Sequence, residues 1–217
     1  MRSDILAFPI GDRQIMPKLR EGDKVTALPK GRWNVIYADP PWSYNSKNPT
    51  TAKRPTAMGV SLTPDYYYSV MSLDEIKALP ISQIADENSV CFLWTTNPML
   101  REGLEVMKAW NFDYITTITW YKTNSKGMGY WFRGFTEHLL FGKKGNVKSF
   151  HAQIPNIQRH DFIRHSQKPD LFRKLIEQAT ASMPRLRRIE LFARERHEGW
   201  DAWGNQLGLE IQMEISK

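Results

Sequence analysis

The sequence predicts an α/β fold: a mainly parallel sheet with helices on both faces. Two observations predict it. Five segments, Trp33 to Asp39, Val90 to Thr95, Tyr114 to Trp120, Glu137 to Phe141 and Arg187 to Phe192, are short, rich in branched or aromatic residues, and nearly continuous rather than alternating in their apolar character. That is the pattern of strands buried on both faces. Between them lie segments with helical spacing, and strands that alternate with helices imply such a sheet.

The elements follow in order. Trp33 to Asp39 is the first strand. Ser72 followed by Glu75 reads as a capping box that opens a helix over Leu73 to Leu79. Val90 to Thr95 is the second strand. Asn97 is then expected to cap, with Pro98 in its first turn, a helix whose apolar Leu100, Leu104 and Met107 are spaced by three and four up to about Trp110. After the strands Tyr114 to Trp120 and Glu137 to Phe141, a third helix begins near Pro169 with Leu171, Leu175, Ile176 and Ala179 on one face, and ends before Pro184. Arg187 to Phe192 closes the series. Three stretches fit neither pattern, 43–66, 123–134 and 142–167, and connections of that length usually mark functional loops.

A chain of 217 residues is expected to form one domain, 1–217, with a substantial core. Hydrophobic residues make up 41% and charged residues 24%, which excludes a largely disordered chain. Eight Trp, eight Tyr and ten Phe are many for a core of this size, so either the core is unusually aromatic or some rings stack on flat ligands at a surface. A formal charge of +7 and a pI near 9.5 favour a polyanionic partner. Much of the positive charge falls in the three loops. The single Cys91 excludes an intramolecular disulfide and a cysteine-based zinc site, and with no signal-peptide core and no run of eighteen apolar residues the expectation is a cytoplasmic protein without a membrane span. No GxGxxG occurs, which removes support for a nicotinamide or flavin enzyme.

The run Val35-Ile36-Tyr37-Ala38-Asp39-Pro40-Pro41-Trp42 is a buried strand that ends in an acid, two prolines and an aromatic ring. Ligands of open α/β sheets bind beyond the carboxyl ends of strands. The exocyclic amine of adenine is a poor nucleophile because its lone pair is delocalised into the ring, so both N–H groups must be held. Asp39 offers a carboxylate to one and Pro40 its main-chain carbonyl to the other, with Pro41 completing a proline pair that fixes the carbonyl. Trp42 would supply a face for an extruded base. The plainer reading is a rigid strand-to-turn connection with a buried Trp.

Further segments follow in order: Tyr68 to Glu75, Trp120-Tyr121-Lys122-Thr123, Glu137-His138-Leu139-Leu140, His165-Ser166-Gln167-Lys168-Pro169, Glu190-Leu191-Phe192-Ala193-Arg194 and Trp203-Gly204-Asn205-Gln206. This series resembles the N6-adenine methyltransferase family named after the seventy-kilodalton subunit of the messenger-RNA adenosine methyltransferase, in its short prokaryotic or phage form. The resemblance covers about residues 33–208, and residues 1–30 stay unmatched.

The resemblance implies a Rossmann-like core in which the catalytic motif precedes the cofactor strand, and S-adenosylmethionine as cofactor. It implies catalytic roles for Asp39, Pro40, Pro41 and Trp42. Cofactor contacts are implied for Asp39, Lys168, Glu190, Phe192, Arg194, Asn205 and Gln206, with Lys168 pairing the methionyl carboxylate and Glu190 either in the pocket or bonded to Lys168. Plainer roles stay open: Lys168 and Glu190 as a surface ion pair, Asn205 and Gln206 capping a turn. Substrate contacts are expected from Tyr68, Lys122, Lys143, Lys144, Arg159, Arg164 and His165. No metal is expected, since the five histidines fit no helical ligand pair. The expected reaction is methyl transfer to the 6-amino group of adenine in a nucleic acid, DNA favoured over RNA, by a monomer or homodimer. The alternatives are the same reaction on RNA, or an inactive nucleic-acid-binding partner with the same fold.

Overall fold

The computed structural model describes residues 27–43, 70–127, 129, 131–162, 167–204 and 207. The first strand, β1 (Trp33–Ala38), lies between parallel neighbours, β2 (Ala85–Thr96) and β6 (Arg188–Leu191), and is buried at all six positions because both faces of the sheet are covered there. Adding β3 (Asp113–Lys122), β4 (Thr136–Lys144), β5 (Ile157–His160) and β7 (Asp201–Trp203) gives the spatial order β5-β3-β4-β2-β1-β6-β7. Four neighbouring pairs are parallel, and β4 alone runs against both of its neighbours. The expected α/β architecture with a mainly parallel sheet is therefore present, as a mixed sheet with one reversed strand.

Alternation along the strands divides the core in two. Ile36, Ala38, Cys91, Leu93, Leu140, Ile189 and Leu191 face one side. There they meet α1 (Leu73–Ala78), the single-turn α2 (Ile81–Ile84) and α3 (Leu100–Ala109) through Ile76, Ile81, Ile84, Val106 and Met107. Val35, Tyr37, Phe92, Trp94, Trp120 and Leu139 face the other side, against Phe172 and Ile176 of α4 (Asp170–Thr180). The aromatic surplus goes largely into this core: Trp33, Trp94, Trp110 and Trp120 are all fully buried.

The capping box of α1 forms as read, with Ser72 N donating to Glu75 Oε2 at 2.8 Å and Glu75 N to Ser72 Oγ at 3.3 Å. The helix expected from Asn97 starts later. Residues Asn97–Met99 make one 3-10 turn, and the Asn97 amide donates to Thr136 Oγ1 and O instead of capping. On α4 the buried face includes Phe172, where Leu171 was expected.

The loop expected over 142–167 is corrected in two places. β4 continues through Gly142, Lys143 and Lys144, and β5 forms within the stretch. Gly142 looks like a breaker but serves packing: a Cβ there would meet Met107 Cε at 2.8 Å and Asp113 O at 2.9 Å. β5 has no apolar run because it is a four-residue edge strand with an exposed or half-buried pattern. Of the stretch 43–66, only Ser43 lies among the described residues.

Candidate active site at the carboxyl edge of the sheet

The parallel strands β1, β2, β3 and β6 all end at one edge, and because β4 is reversed, it begins there. Asp39 follows β1 directly. Its backbone continuation is pinned: Trp42 N donates to Pro40 O at 2.9 Å, Met71 N to Pro41 O at 2.9 Å, and Ser43 N to Met71 O at 3.2 Å. The Pro40 carbonyl is thus oriented by a three-residue turn as well as by its ring, with one lone pair left.

Trp42 departs from the role expected of it. It is 6% exposed, belongs to the core on the α1–α3 side, and donates its indole N–H to Trp94 O at 3.0 Å. A ring enclosed in this way has no free face for a base, so Trp42 fixes the turn that follows Asp39 rather than offering a stacking platform.

Lys168, two residues before α4, reaches back to the end of β1. Its Nζ donates to both Asp39 oxygens at 2.9 Å and lies 3.4 Å from Glu137 Oε2 at the start of β4. The other Glu137 oxygen accepts from Lys122 Nζ at the end of β3. Asp39, Lys168, Glu137 and Lys122 therefore form one continuous chain of alternating charge. Its floor is aromatic: Lys168 Nζ stands 5.2 Å from the Trp94 ring centroid and Lys122 Nζ 4.8 Å from that of Trp120. Trp94 is held in turn by its indole N–H, which donates to Tyr37 Oη at 2.7 Å.

Burial alone would lower the Lys168 ammonium, but Asp39 and Glu137 outweigh it and push its pKa up to about 12. Burial would likewise raise the Glu137 carboxyl, and Lys168 with Lys122 instead holds it below the usual range. Lys168 is thus a fixed cation between two acids. It does not bond Glu190, as one expectation had it. Glu190 accepts from Arg173 Nε at 3.3 Å, and burial holds its carboxyl above the usual range despite that partner.

Beyond β6 the backbone turns at Phe192, whose φ of 63° is left-handed for a bulky side chain. The Phe192 ring meets Trp203 edge-on at 5.4 Å, and Ala193 N donates to Trp203 O at 3.0 Å. Gly204 is forced by this approach: a Cβ on it would stand 2.2 Å from Ala193 O. Arg194 follows the turn, half-buried.

Among the expected substrate contacts, Lys122 belongs to the ionic chain, and Arg159 lies on β5 with its guanidinium 5.8 Å from the Tyr121 ring. Lys143 and Lys144 lie at the opposite edge of the sheet, since β4 runs away from the site. Lys144 pairs in register with Ser89 and donates to Ser82 O and Ala85 O. Both were expected to contact substrate, and they stand at the edge away from Asp39. Tyr68, Arg164, His165, Asn205 and Gln206 lie outside the described residues. Glu137 is the residue that sequence reasoning left without a role. A lone acid opening an apolar strand was the available signal. Its neighbour His138 faces the other side, with Nε2 2.8 Å from Asn97 Oδ1.

Residues 33–206 match the family profile described as MT-A70. The chain belongs to the MT-A70 family. It is a methyltransferase of that family, and its relatives divide by coverage. The type II methyltransferase M.MunI of a Mycoplasma is 29% identical across 100% of this chain and 99% of its own length. The Arabidopsis thaliana N(6)-adenosine-methyltransferase MT-A70-like is 30% identical over 82% of this chain, which spans 24% of that relative. The human N(6)-adenosine-methyltransferase catalytic subunit METTL3 is 29% identical over 82% of this chain, spanning 28% of its length. The MT-A70 chain thus runs the whole length of the first and about a quarter of the other two. No helix among the described residues is long and apolar enough to cross a membrane.

Proposed function

We propose that this MT-A70 methyltransferase transfers a methyl group from S-adenosylmethionine to the 6-amino group of adenine in DNA. The observation that carries the reading is the Asp39 carboxylate, 27% exposed at the end of β1, held from behind by Lys168 and continued by the pinned Pro40 carbonyl. Two acceptors in sequence at a strand end match the two N–H bonds of an exocyclic amine.

The donor set fits the cofactor. A sulfonium with an amino-acid tail carries both signs of charge, and this edge offers two acids and a fixed ammonium, with Phe192 following β6, the strand paired with β1. Lys168, Glu190, Phe192, Arg194, Asn205 and Gln206 are the residues proposed to hold it. When bound, the sulfonium supplies an already activated methyl group. The chain's own task is then alignment. Asp39 and Pro40 O accept from the amine and aim its lone pair, and Lys168 keeps Asp39 from swinging away. A strong base is unnecessary, because the amine becomes acidic only after methylation and its proton can pass to Asp39.

Preference for DNA rests on the end-to-end match with a type II methyltransferase, set beside quarter-length matches with N(6)-adenosine-methyltransferases; the +7 charge favours a nucleic acid of either kind. The experiment is methyl transfer to unmethylated DNA, single-stranded DNA and RNA, with nucleosides identified by mass spectrometry. N6-methyldeoxyadenosine is the expected product. Methylation of RNA alone would move the substrate to RNA, and failure to bind S-adenosylmethionine in calorimetry would make the chain an inactive partner.

A further inference from the structure

Among the described residues two large aromatic side chains stand almost wholly in solvent, Trp131 at 94% and Phe132 at 90%. They are consecutive, in the connection between β3 and β4. That connection springs from Lys122 and returns at Glu137, both members of the ionic chain, so it rises from the edge that carries Asp39. Its base is anchored. Lys122 N donates to Phe135 O at 2.8 Å, and Phe135 packs against Tyr121 at 6.4 Å. The part before the tip is folded tightly on the part after it. Gly129, at φ 144°, would place a Cβ 2.1 Å from Phe132 O, and Gly127, at φ 64°, would place one 3.0 Å from Arg133 Cβ. Gly129 leaves no room for a side chain, and Gly127 holds a left-handed conformation that side chains rarely adopt.

Two adjacent rings left in water on an anchored loop call for a partner that covers them. The chemistry of that partner is given by the neighbours. Residues 123–135 contain Lys126 and Arg133, both exposed, and no acid. Cationic side chains that flank flat apolar rings suit a polyanion with stackable faces, which is nucleic acid. If the adenine reading above is right, on which this inference rests, the target amine lies inside a base stack and the base must leave it, opening a gap.

We propose that Trp131 and Phe132 form a wedge that enters the duplex beside the target adenine and fills the space it vacates. The rings compensate lost stacking, while Lys126 and Arg133 meet the flanking phosphates. The residues act on the duplex and not on the reacting atoms, so they are positioning residues.

The test uses the full chain and the double variant Trp131→Ala/Phe132→Ala, first by binding. For the wild type, a fluorescent duplex with one abasic site should bind about tenfold more tightly than the intact duplex, since the gap is already open. The variant should lose that preference. Methylation is then compared on unmethylated genomic DNA, intact and heat-denatured: the variant should lose about tenfold on intact duplex and keep the wild-type rate, within about twofold, on the denatured form. An unchanged preference for the abasic duplex, or equal losses on both forms of DNA, would overturn the wedge. So would light scattering that shows a wild-type dimer and a variant monomer, which would give the rings to a second copy of the chain. A wild type that shows the abasic preference but makes no N6-methyladenine would sink the proposed reaction and leave the wedge standing.

Discussion

Lys168 Nζ is 2.9 Å from both carboxylate oxygens of Asp39, so a residue expected to serve the cofactor and one expected to serve the amine are a single ionic unit. Because Glu137 and Lys122 extend that unit, removing either member of the central pair changes the charge felt by the other.

The first consequence is non-additivity. Asp39→Asn should lower the single-turnover rate by roughly a hundred- to thousandfold, the size seen when one polar stabiliser is removed from a reaction centre. Lys168→Ala leaves two acids facing each other and should weaken S-adenosylmethionine binding and rate together. The double variant should then cost little more than the worse single one, measured by calorimetry and single-turnover kinetics. Strict additivity would mean that the two act independently.

Glu137 gives a pH signature. Its carboxyl is held below the usual range, so its contribution to stability is present above that range and disappears as the pH falls through the lowered value. Lys168 is raised to about 12, so its contribution is complete below the ordinary lysine value and is lost only as the pH rises through about 12. The difference in denaturant stability between the wild type and Glu137→Gln should accordingly be largest near neutral pH and shrink on acidification. A constant difference would place the effect of Glu137 in packing.

For Trp42 the expected phenotype is instability. Trp42→Ala should cost about 3–5 kcal/mol as a cavity in a buried aromatic site. Trp42→Phe should cost about 1–3 kcal/mol, mainly for the carbonyl of Trp94 left without its donor. Equilibrium unfolding measures both. A fully stable Trp42→Ala protein that fails only in methyl transfer would restore the stacking role.

The basic residues should separate by edge. Arg159→Ala should reduce the slope of log affinity against log salt on duplex DNA by about 0.9, the amount for one phosphate contact. Lys143→Ala/Lys144→Ala should leave the slope unchanged, because these lysines lie at the other edge and Lys144 is occupied with Ser82 and Ala85 carbonyls. Equal changes in both variants would mean that the nucleic acid wraps the whole sheet.

Gly204→Ala is a small change with a large expected effect. Its methyl would press on the Ala193 carbonyl and displace the turn at Phe192. We expect S-adenosylmethionine binding to fall more than global stability, read by calorimetry beside thermal unfolding. Unaltered affinity would separate this turn from the cofactor site.

Much of this was legible in the sequence for a physical reason. Strands buried on both faces must be apolar throughout, which exposed β1 and the central part of β2, and Ser72 with Glu75 announced α1. What stayed hidden was polar or ambiguous. β2 opens with the polar Asp86-Glu87-Asn88 after Ala85, β5 is a polar edge strand, and Gly142 resembled a breaker while making room for Met107. The reversal of β4 could not be read from composition, and the far-edge position of Lys143 and Lys144 followed from it. At the site, Asp39 and Lys168 stood out in the motifs, but that they bond each other depends on a fold that brings together residues 129 apart.

The reversed strand also sets the site's phase. Along β4, Glu137, Leu139 and Phe141 share the face toward Trp94 and α4, while His138, Leu140 and Gly142 share the other. Shifting β4 by one residue would exchange the acid opposite Lys168 for His138 or Thr136 and turn an ion pair into an imidazole or hydroxyl contact. A change of length inside β4 shifts every residue that follows it on the strand, whereas one within 123–135 leaves the β4 ladder with β2 intact. The length of this strand therefore acts as a reading frame for the charge of the active edge, and insertions into it should be tolerated far less than insertions beside it.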